Sequence, residues 1–164
     1  MPFTPFHMGP GILIKALLQG SFSLMVFGWS QIVMDLQPLW VLITGQGYLH
    51  GFSHTFVGST LLAIFSAITG KYLSEIGLRL IGISKPNQLI KITWTVAFLS
   101  AFIGGYSHVV LDAIMHSDLR PYYPLNQNNQ LLEILSISQL HKLCLYTGLF
   151  GALLFFVIQW KYKK

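Results

Sequence analysis

Charge is what this sequence has least of. Only 9% of its 164 residues are Asp, Glu, Lys or Arg, whereas 53% are hydrophobic and the mean hydropathy is +0.60. A soluble domain carries about 25% charged residues because its surface faces water. A chain of this length is also too short for two domains of ordinary size. The composition therefore excludes an ordinary soluble protein and predicts one membrane-embedded domain, residues 1–164.

Cysteine and clustered basic residues are scarce as well. The single cysteine, Cys144, lies inside an apolar run, which excludes a disulfide framework and a metal site built from thiolates. Ten basic residues outnumber five acidic ones, but they lie between apolar segments or at the C-terminus, as topology anchors do. No nucleic-acid partner is expected, because no basic stripe is present to follow a phosphate backbone. The N-terminus has no basic stretch ahead of an apolar one, so we expect no cleaved signal peptide.

Long apolar runs are what the sequence does contain. Roughly 20 apolar residues in a helix cross a bilayer core of about 30 Å, and these runs lack the alternation that is typical of strands. Four segments are long enough, the first with Asp35 inside it: residues 22–43, 55–72, 92–115 and 143–160. The sequence predicts an all-α, polytopic membrane bundle of four spanning helices.

A shorter apolar stretch, residues 11–18, precedes the first span. Pro10 lies just before it, and proline favours the first turn of a helix. Eight residues extend only about 12 Å along a helix axis. We expect a half-membrane or interfacial helix that packs against the bundle, with a plain amphipathic anchor as the alternative.

The distribution of basic residues predicts the orientation in the membrane. Residues 71–91 include four basic residues and one acidic residue, whereas residues 117–139 include only one basic residue, Arg120. Positively charged loops stay in the cytoplasm. In a bacterial inner membrane, we therefore expect a cytoplasmic C-terminus, with residues 44–54 and 117–139 on the outer, periplasmic side.

This topology collects most histidines and aspartates at the outer face. They are His7, Asp35, His50, His54, His108, Asp112, His116 and Asp118. His141, at the start of the last span, is expected to snorkel or to cap a helix instead. Asp118 is expected to form a salt bridge with Arg120 within its loop. One histidine or aspartate on a membrane helix is more often a polar group that hydrogen-bonds to a neighbouring helix. The gathering of eight at one face is what indicates a site.

The spacing of these residues and the free-energy cost of a carboxylate at membrane depth both favour a bound metal ion. His108, Asp112 and His116 are four residues apart and share one helix face, but the outer two are about 12 Å apart along the axis. One ion can bind His108 and Asp112, which leaves His116 for a second ion, substrate or acid–base chemistry. A carboxylate at membrane depth costs a few kcal/mol unless it is paired or ligates a cation. Imidazole and carboxylate suit a divalent ion, with zinc the first candidate and iron, manganese and nickel the others.

Five short motifs, in order along the chain, support this interpretation. They are Phe6-His7-Met8-Gly9, Val33-Met34-Asp35-Leu36, His50-Gly51-Phe52-Ser53-His54-Thr55, Gly105-Tyr106-Ser107-His108-Val109-Val110-Leu111-Asp112 and Pro121-Tyr122-Tyr123-Pro124. The ordered set resembles the YdjM-like family of membrane-bound, metal-dependent hydrolases. The resemblance implies that the metal ligands are His7, Asp35, His54, His108 and Asp112. Two positions depart from the family pattern: Gln37 replaces a second acidic residue, and Leu49 replaces an earlier histidine, with His50 shifted by one.

The sequence thus predicts a metal-dependent hydrolase of the inner membrane, with a lipid or phospho-ester substrate. A bound metal activates a coordinated water. His50 and His116 are the candidates for proton transfer, and Arg120 is the candidate for binding an anionic headgroup. Two alternatives stay open: a non-catalytic scaffold or interaction subunit stapled by a metal, and a haem-bearing electron carrier.

Overall fold

The computed structural model describes residues 4–84 and 89–162. Over these residues the chain forms α-helices and no strand. The helices are α1 (Thr4–Leu18), α2 (Leu24–Thr44), α3 (Phe56–Leu80), α4 (Trp94–Met115) and α5 (Ile137–Tyr162), with short 3-10 turns at Gln19–Ser21 and Phe52–His54. The predicted all-α bundle is confirmed.

Helices α2 to α5 are 21 to 26 residues long, and each is apolar enough to cross a membrane. Many of their large apolar side chains, such as Ile43, Phe156 and Trp160, are exposed on the bundle surface. Burying that surface in a bilayer removes it from water, so the fold is that of an integral membrane protein with four spans.

Hydroxyl side chains set where three of the spans begin. Ser23, Thr55 and Thr93 precede α2, α3 and α4, and each side-chain oxygen accepts a hydrogen bond from a backbone N–H in the first turn. Such caps satisfy donors that a helix cannot satisfy internally. Helix α2 ends at Gly45, which has a left-handed backbone (φ 69°) that glycine adopts without strain.

Two of the predicted helices were too short. Helix α3 continues eight residues past the predicted end at residue 72, so Lys71 and Glu75 are helical rather than part of a linker. Their side chains pair at 2.9 Å one turn apart, which supports the helix through a region with fewer apolar residues. Helix α5 begins at Ile137, six residues before the predicted start. Met1–Phe3, Lys85, and the last two lysines lie outside the described residues.

Helix α1 begins at Thr4, seven residues before the predicted start. Pro10 therefore lies inside the helix rather than at its first turn, where it removes one backbone hydrogen bond. With 15 residues, α1 is about 22 Å long, which is shorter than the four spans. At its end, Lys15 Nζ donates to the carbonyls of Gln19 and Phe22 at 2.6 and 2.7 Å, which stabilises the turn into α2.

Small residues let the helices approach closely, as is typical of membrane bundles. Gly104 on α4 lies against Ser30 on α2, and Gly105 lies against Ser59 on α3, with no room for a Cβ at either glycine. Helix α2 runs parallel to α4, whereas α3 runs antiparallel to it. One end of the bundle therefore gathers the C-terminal halves of α2 and α4 and the start of α3.

Helix α1 packs against α5. Gly9 packs on the backbone of Cys144 and Gly151 packs on the backbone of Leu13, so the two helices run parallel. The first turn of α1 is thereby brought to the same end of the bundle as the C-terminus of α4. His7 lies in that turn.

Candidate metal centre

His108 lies at the centre of the site, and its tautomer is determined by a neighbouring glutamine. The Gln31 side chain donates to the Gly104 carbonyl at 2.9 Å, so its amide oxygen points to His108. That oxygen accepts a hydrogen bond from His108 Nδ1 at 2.8 Å. The Nδ1 atom therefore carries a proton, and Nε2 is the nitrogen left to face Asp35 and Asp112. A histidine held in this way is oriented to bind a metal through Nε2.

Three imidazoles converge on the Asp112 carboxylate. The Nε2 atoms of His7, His54 and His108 lie 3.4, 3.5 and 3.3 Å from its oxygens. His108 Nε2 also lies 3.3 Å from Asp35 Oδ1. These distances are longer than an ordinary N–H···O hydrogen bond, which is about 2.7–3.2 Å. Two ligands that each lie about 2.1 Å from one tetrahedral ion would be separated by about 3.4 Å.

Several atoms of this group are buried without hydrogen-bond partners. Among residues 4–84 and 89–162, this holds for both ring nitrogens of His7, for Nε2 of His54 and His108, and for Asp112 Oδ1. Each unsatisfied buried group costs about 1–3 kcal/mol, and here they occur together at one point. A divalent cation would satisfy the Nε2 atoms and the carboxylate at once. The residues present therefore fit a metal ion.

The five residues differ in exposure. The Asp112 side chain is 5% exposed and those of His54 and His108 are fully buried, whereas the Asp35 side chain is 29% exposed. Asp35 is therefore the most exposed member of the group.

His54 is held by the loop that precedes α3. Its Nδ1 lies 2.8 Å from Ser53 Oγ, which leaves Nε2 to face Asp112. Burial, with the nearby His108 ring as a second cause, lowers the pKa of His54 to about 3. The imidazole is therefore neutral at pH 7, which is the form that binds a metal.

Gln37 holds the same loop. Its side-chain oxygen accepts a hydrogen bond from Ser53 N at 3.1 Å, and its nitrogen donates to the Tyr48 carbonyl at 3.3 Å. Gln37 therefore joins the loop to α2, and both ends of its amide are used in doing so.

The donors around His108 make one site rather than two. His7, His108 and Asp112 form one group whose ligand atoms lie within 4.8 Å of one another, and Asp35, His54 and His108 form another. Both groups need Nε2 of His108, because its Nδ1 is bonded to Gln31. A single lone pair serves a single ion. We refer to these five residues as the primary site.

A second group, formed by His50, His116 and Asp118, lies beside the primary site. His50 Nδ1 is 3.0 and 2.9 Å from the two Asp118 oxygens, and the rings of His50 and His116 stack at 4.2 Å. Ligand atoms of all three residues lie within 4.8 Å of one another. The His54 ring lies 5.2 Å from those of both His50 and His108, so it separates the two groups.

Two expectations about this region were wrong. His116 does not continue the helical face of His108, because α4 ends at Met115 and His116 turns towards His50. His50 lies in a turn and His54 in a 3-10 turn. Asp118 pairs with His50 and not with Arg120, which donates to Gln127 at 3.2 Å in the exposed loop.

The surroundings shift the acid–base behaviour of this second group. Burial lowers the pKa of His116, and the neighbouring His50 lowers it further. Burial by itself would raise the pKa of Asp118, but the hydrogen bond with His50 outweighs it and brings that pKa below its usual value. The group therefore contains a carboxylate in its ionised form at neutral pH.

Residue spacing alone did not predict the side chains that orient the ligands. Gln31 precedes Asp35 by one helical turn, so a glutamine in an apolar run at that spacing was a usable signal. Ser53 offered no such signal, because serine is common in loops, and Asp118 was predicted at this face with a different partner. His141 stacks on Phe6 at 4.9 Å and belongs to neither group.

Comparison with protein-family models, with curated proteins and with solved structures found no match to this chain. Function must therefore be inferred from the geometry of the primary site and from the motifs in the sequence.

Proposed function

We propose that this chain is a membrane-embedded, metal-dependent hydrolase. The observation that carries the proposal is the convergence of His7, His54 and His108 on the buried Asp112 carboxylate at 3.3–3.5 Å, with Asp35 at the exposed edge. Zinc is the first candidate for the ion, and iron, manganese and nickel accept the same donors. The resemblance of the motifs to the YdjM-like hydrolases supports the same reaction class.

The primary site offers the groups that hydrolysis requires. A bound divalent ion supplies an activated water and polarises the bond to be cleaved. His108, oriented by Gln31, and Asp112 hold the centre of the site, while the partly exposed Asp35 borders the path by which substrate arrives. His50 and His116 remain the candidates for proton transfer, and Arg120, exposed in the outer loop, remains the candidate for an anionic headgroup.

Two apolar grooves favour a lipid or another substrate with an apolar chain. Ile32, one turn before Asp35, lines a groove of about 720 Å³ between α1, α2 and α3. Leu36, just after Asp35, lines a second groove of about 330 Å³ between α2 and α3. An apolar chain in the second groove would lie along Leu36 and Ser53, which are next to Asp35 and His54 in the sequence. We place this end of the bundle at the periplasmic face of a bacterial inner membrane, because the basic residues lie mainly at the other end.

The test uses the full chain purified in detergent and loaded with zinc. We expect hydrolysis of phospholipid vesicles or of the soluble ester bis-p-nitrophenyl phosphate, and we expect Asp112→Asn to lose both activity and bound metal. Glu133→Gln, which removes an exposed loop carboxylate, is the matched control and should keep both. Unchanged metal content in Asp112→Asn would refute the site.

A metal-stapled scaffold is the second candidate, and the burial of His54, His108 and Asp112 favours it. An ion there would join α1, α2 and α4 to the loop before α3. Such a scaffold would bind zinc and gain thermal stability from it, yet hydrolyse neither substrate. A haem carrier is disfavoured because a carboxylate lies among the imidazoles, and the purified chain should show no Soret band.

A further inference from the structure

We propose that His50, His116 and Asp118 form a second cation site beside the primary site, so that the chain holds two divalent ions. The inference deepens the proposed function and rests on it. Neither the motif resemblance nor the sequence spacing assigns these three residues together. They come from three separate places: the loop before α3, the residue that caps α4, and the loop after α4.

The donor atoms are already close together. Ligand atoms of the three side chains lie within 4.8 Å of one another. His50 Nδ1 and Asp118 now share a hydrogen bond at 2.9 and 3.0 Å, which a bound ion would replace. His116 Nε2 is buried and has no hydrogen-bond partner in the described part of the chain. A cation between these atoms would satisfy that nitrogen and balance the carboxylate.

Hydrogen bonds to the backbone hold the loop after α4 in place and leave the side chains of His116 and Asp118 free to bind an ion. The His116 carbonyl accepts hydrogen bonds from Leu119 N and from the Asn129 side chain, at 3.3 and 3.2 Å. Phe56 N at the start of α3 donates to the Pro121 carbonyl at 2.8 Å. The loop after α4 is thereby fastened to α3, which keeps His116 and Asp118 opposite His50. Such preorganisation lowers the cost of forming a site.

Charge and exposure also suit a cation. The His50 and His116 rings stack with their centroids 4.2 Å apart, so both imidazoles lie beside the Asp118 carboxylate. The nearest arginine in sequence, Arg120, is bonded to Gln127 rather than to Asp118. The Asp118 side chain is 57% exposed, so an ion from solution can reach it directly.

Two cations on either side of the His54 ring favour an anionic phospho-ester as the substrate class. Positive charge beside the reaction centre stabilises the negative charge that develops on the phosphoryl oxygens. In the hydrolysis of a phospho-ester a water oxygen forms a bond to phosphorus, the ester P–O bond breaks, the water loses a proton, and the leaving oxygen takes one up. The family positions that would supply extra ligands are Gln37 and Leu49 here, so this chain would build its second site from different residues.

The experiment counts ions in the detergent-purified full chain, first stripped with chelator and then titrated with Co²⁺. The visible absorption of bound Co²⁺ and elemental analysis report the stoichiometry. We expect two equivalents for the unmodified chain, one for His116→Ala and one for Asp118→Asn. His141→Ala removes a histidine outside both groups and should keep two.

The outcomes separate this inference from the proposed function. One equivalent in the unmodified chain that persists in Asp118→Asn, but is lost in Asp112→Asn, overturns the second site and leaves the hydrolase proposal standing. A changed pH profile with unchanged stoichiometry also overturns it, in favour of proton transfer. If His116→Ala does not fold, Asp118→Asn decides, since its side chain is exposed and nearly isosteric. Metal content that is unaffected by Asp112→Asn overturns the primary site itself.

Discussion

At the scale of single residues, the geometry of the primary site depends on groups that never touch the ion. Gln31 is the main example: it bonds the Gly104 carbonyl and His108 Nδ1 at the same time, so it sets both the ring orientation and the tautomer. Losing such a partner typically reduces metal affinity 10- to 100-fold.

We therefore predict that Gln31→Leu weakens zinc binding by about 10- to 100-fold while the chain still folds. Leucine fills a similar volume but cannot accept a hydrogen bond from His108 Nδ1–H, so the imidazole is free to rotate. Competition with a fluorescent zinc chelator measures the affinity. Gln159→Leu on the exposed face of α5 is the control, and equal affinities for the two variants would contradict the role of Gln31.

At the scale of helices, the position of His7 depends on how α1 packs against α5. Gly9 and Gly151 allow backbone contact between the two helices. A side chain at Gly151 would meet the backbone of Ile12 and Leu13, which cannot rotate away as a flexible side chain can. Overpacking of this kind typically costs about 1–3 kcal/mol.

We predict that Gly151→Leu displaces α1, lowers the thermal unfolding temperature in detergent and weakens metal binding through His7. Gly20→Leu is the control, because a Cβ there would meet nothing within 4 Å. Differential scanning fluorimetry with and without zinc measures both effects. If Gly151→Leu lost stability but kept the metal affinity of the unmodified chain, His7 would not depend on this contact.

At the scale of the whole molecule, the two ends of the bundle differ in chemistry. One end carries the His and Asp groups with the loops at residues 44–54 and 117–139. The other carries Lys71, Arg79 and Lys161. The positive-inside rule predicts that the basic end faces the cytoplasm.

Cysteine labelling tests this orientation, since the native Cys144 is buried and gives a low background. In intact bacteria, we expect a membrane-impermeant maleimide to label Gln46→Cys and Asn128→Cys, but to label Ile83→Cys and Tyr162→Cys only after lysis. All four positions are exposed on the bundle. The reverse pattern would move the primary site to the cytoplasmic face.

The sequence alone determined the class of fold and the identity of the helices. Scarce charge and apolar runs of about 20 residues fix a membrane bundle, because the bilayer imposes length and polarity locally, residue by residue. Boundaries were less secure: α3 and α5 extend into polar stretches, where ion pairs and caps rather than hydropathy sustain the helix.

Only the tertiary structure decided which polar residues meet. The spacing of His108 and Asp112 already placed both on one helix face, but close approach at Gly104 and Gly105 is what brings Asp35 and His54 to them. His116 was predicted on that face. It lies with His50 and Asp118 instead, because α4 ends at Met115, one residue before His116. Such groupings come from contacts between segments far apart in the chain, and no local pattern encodes them.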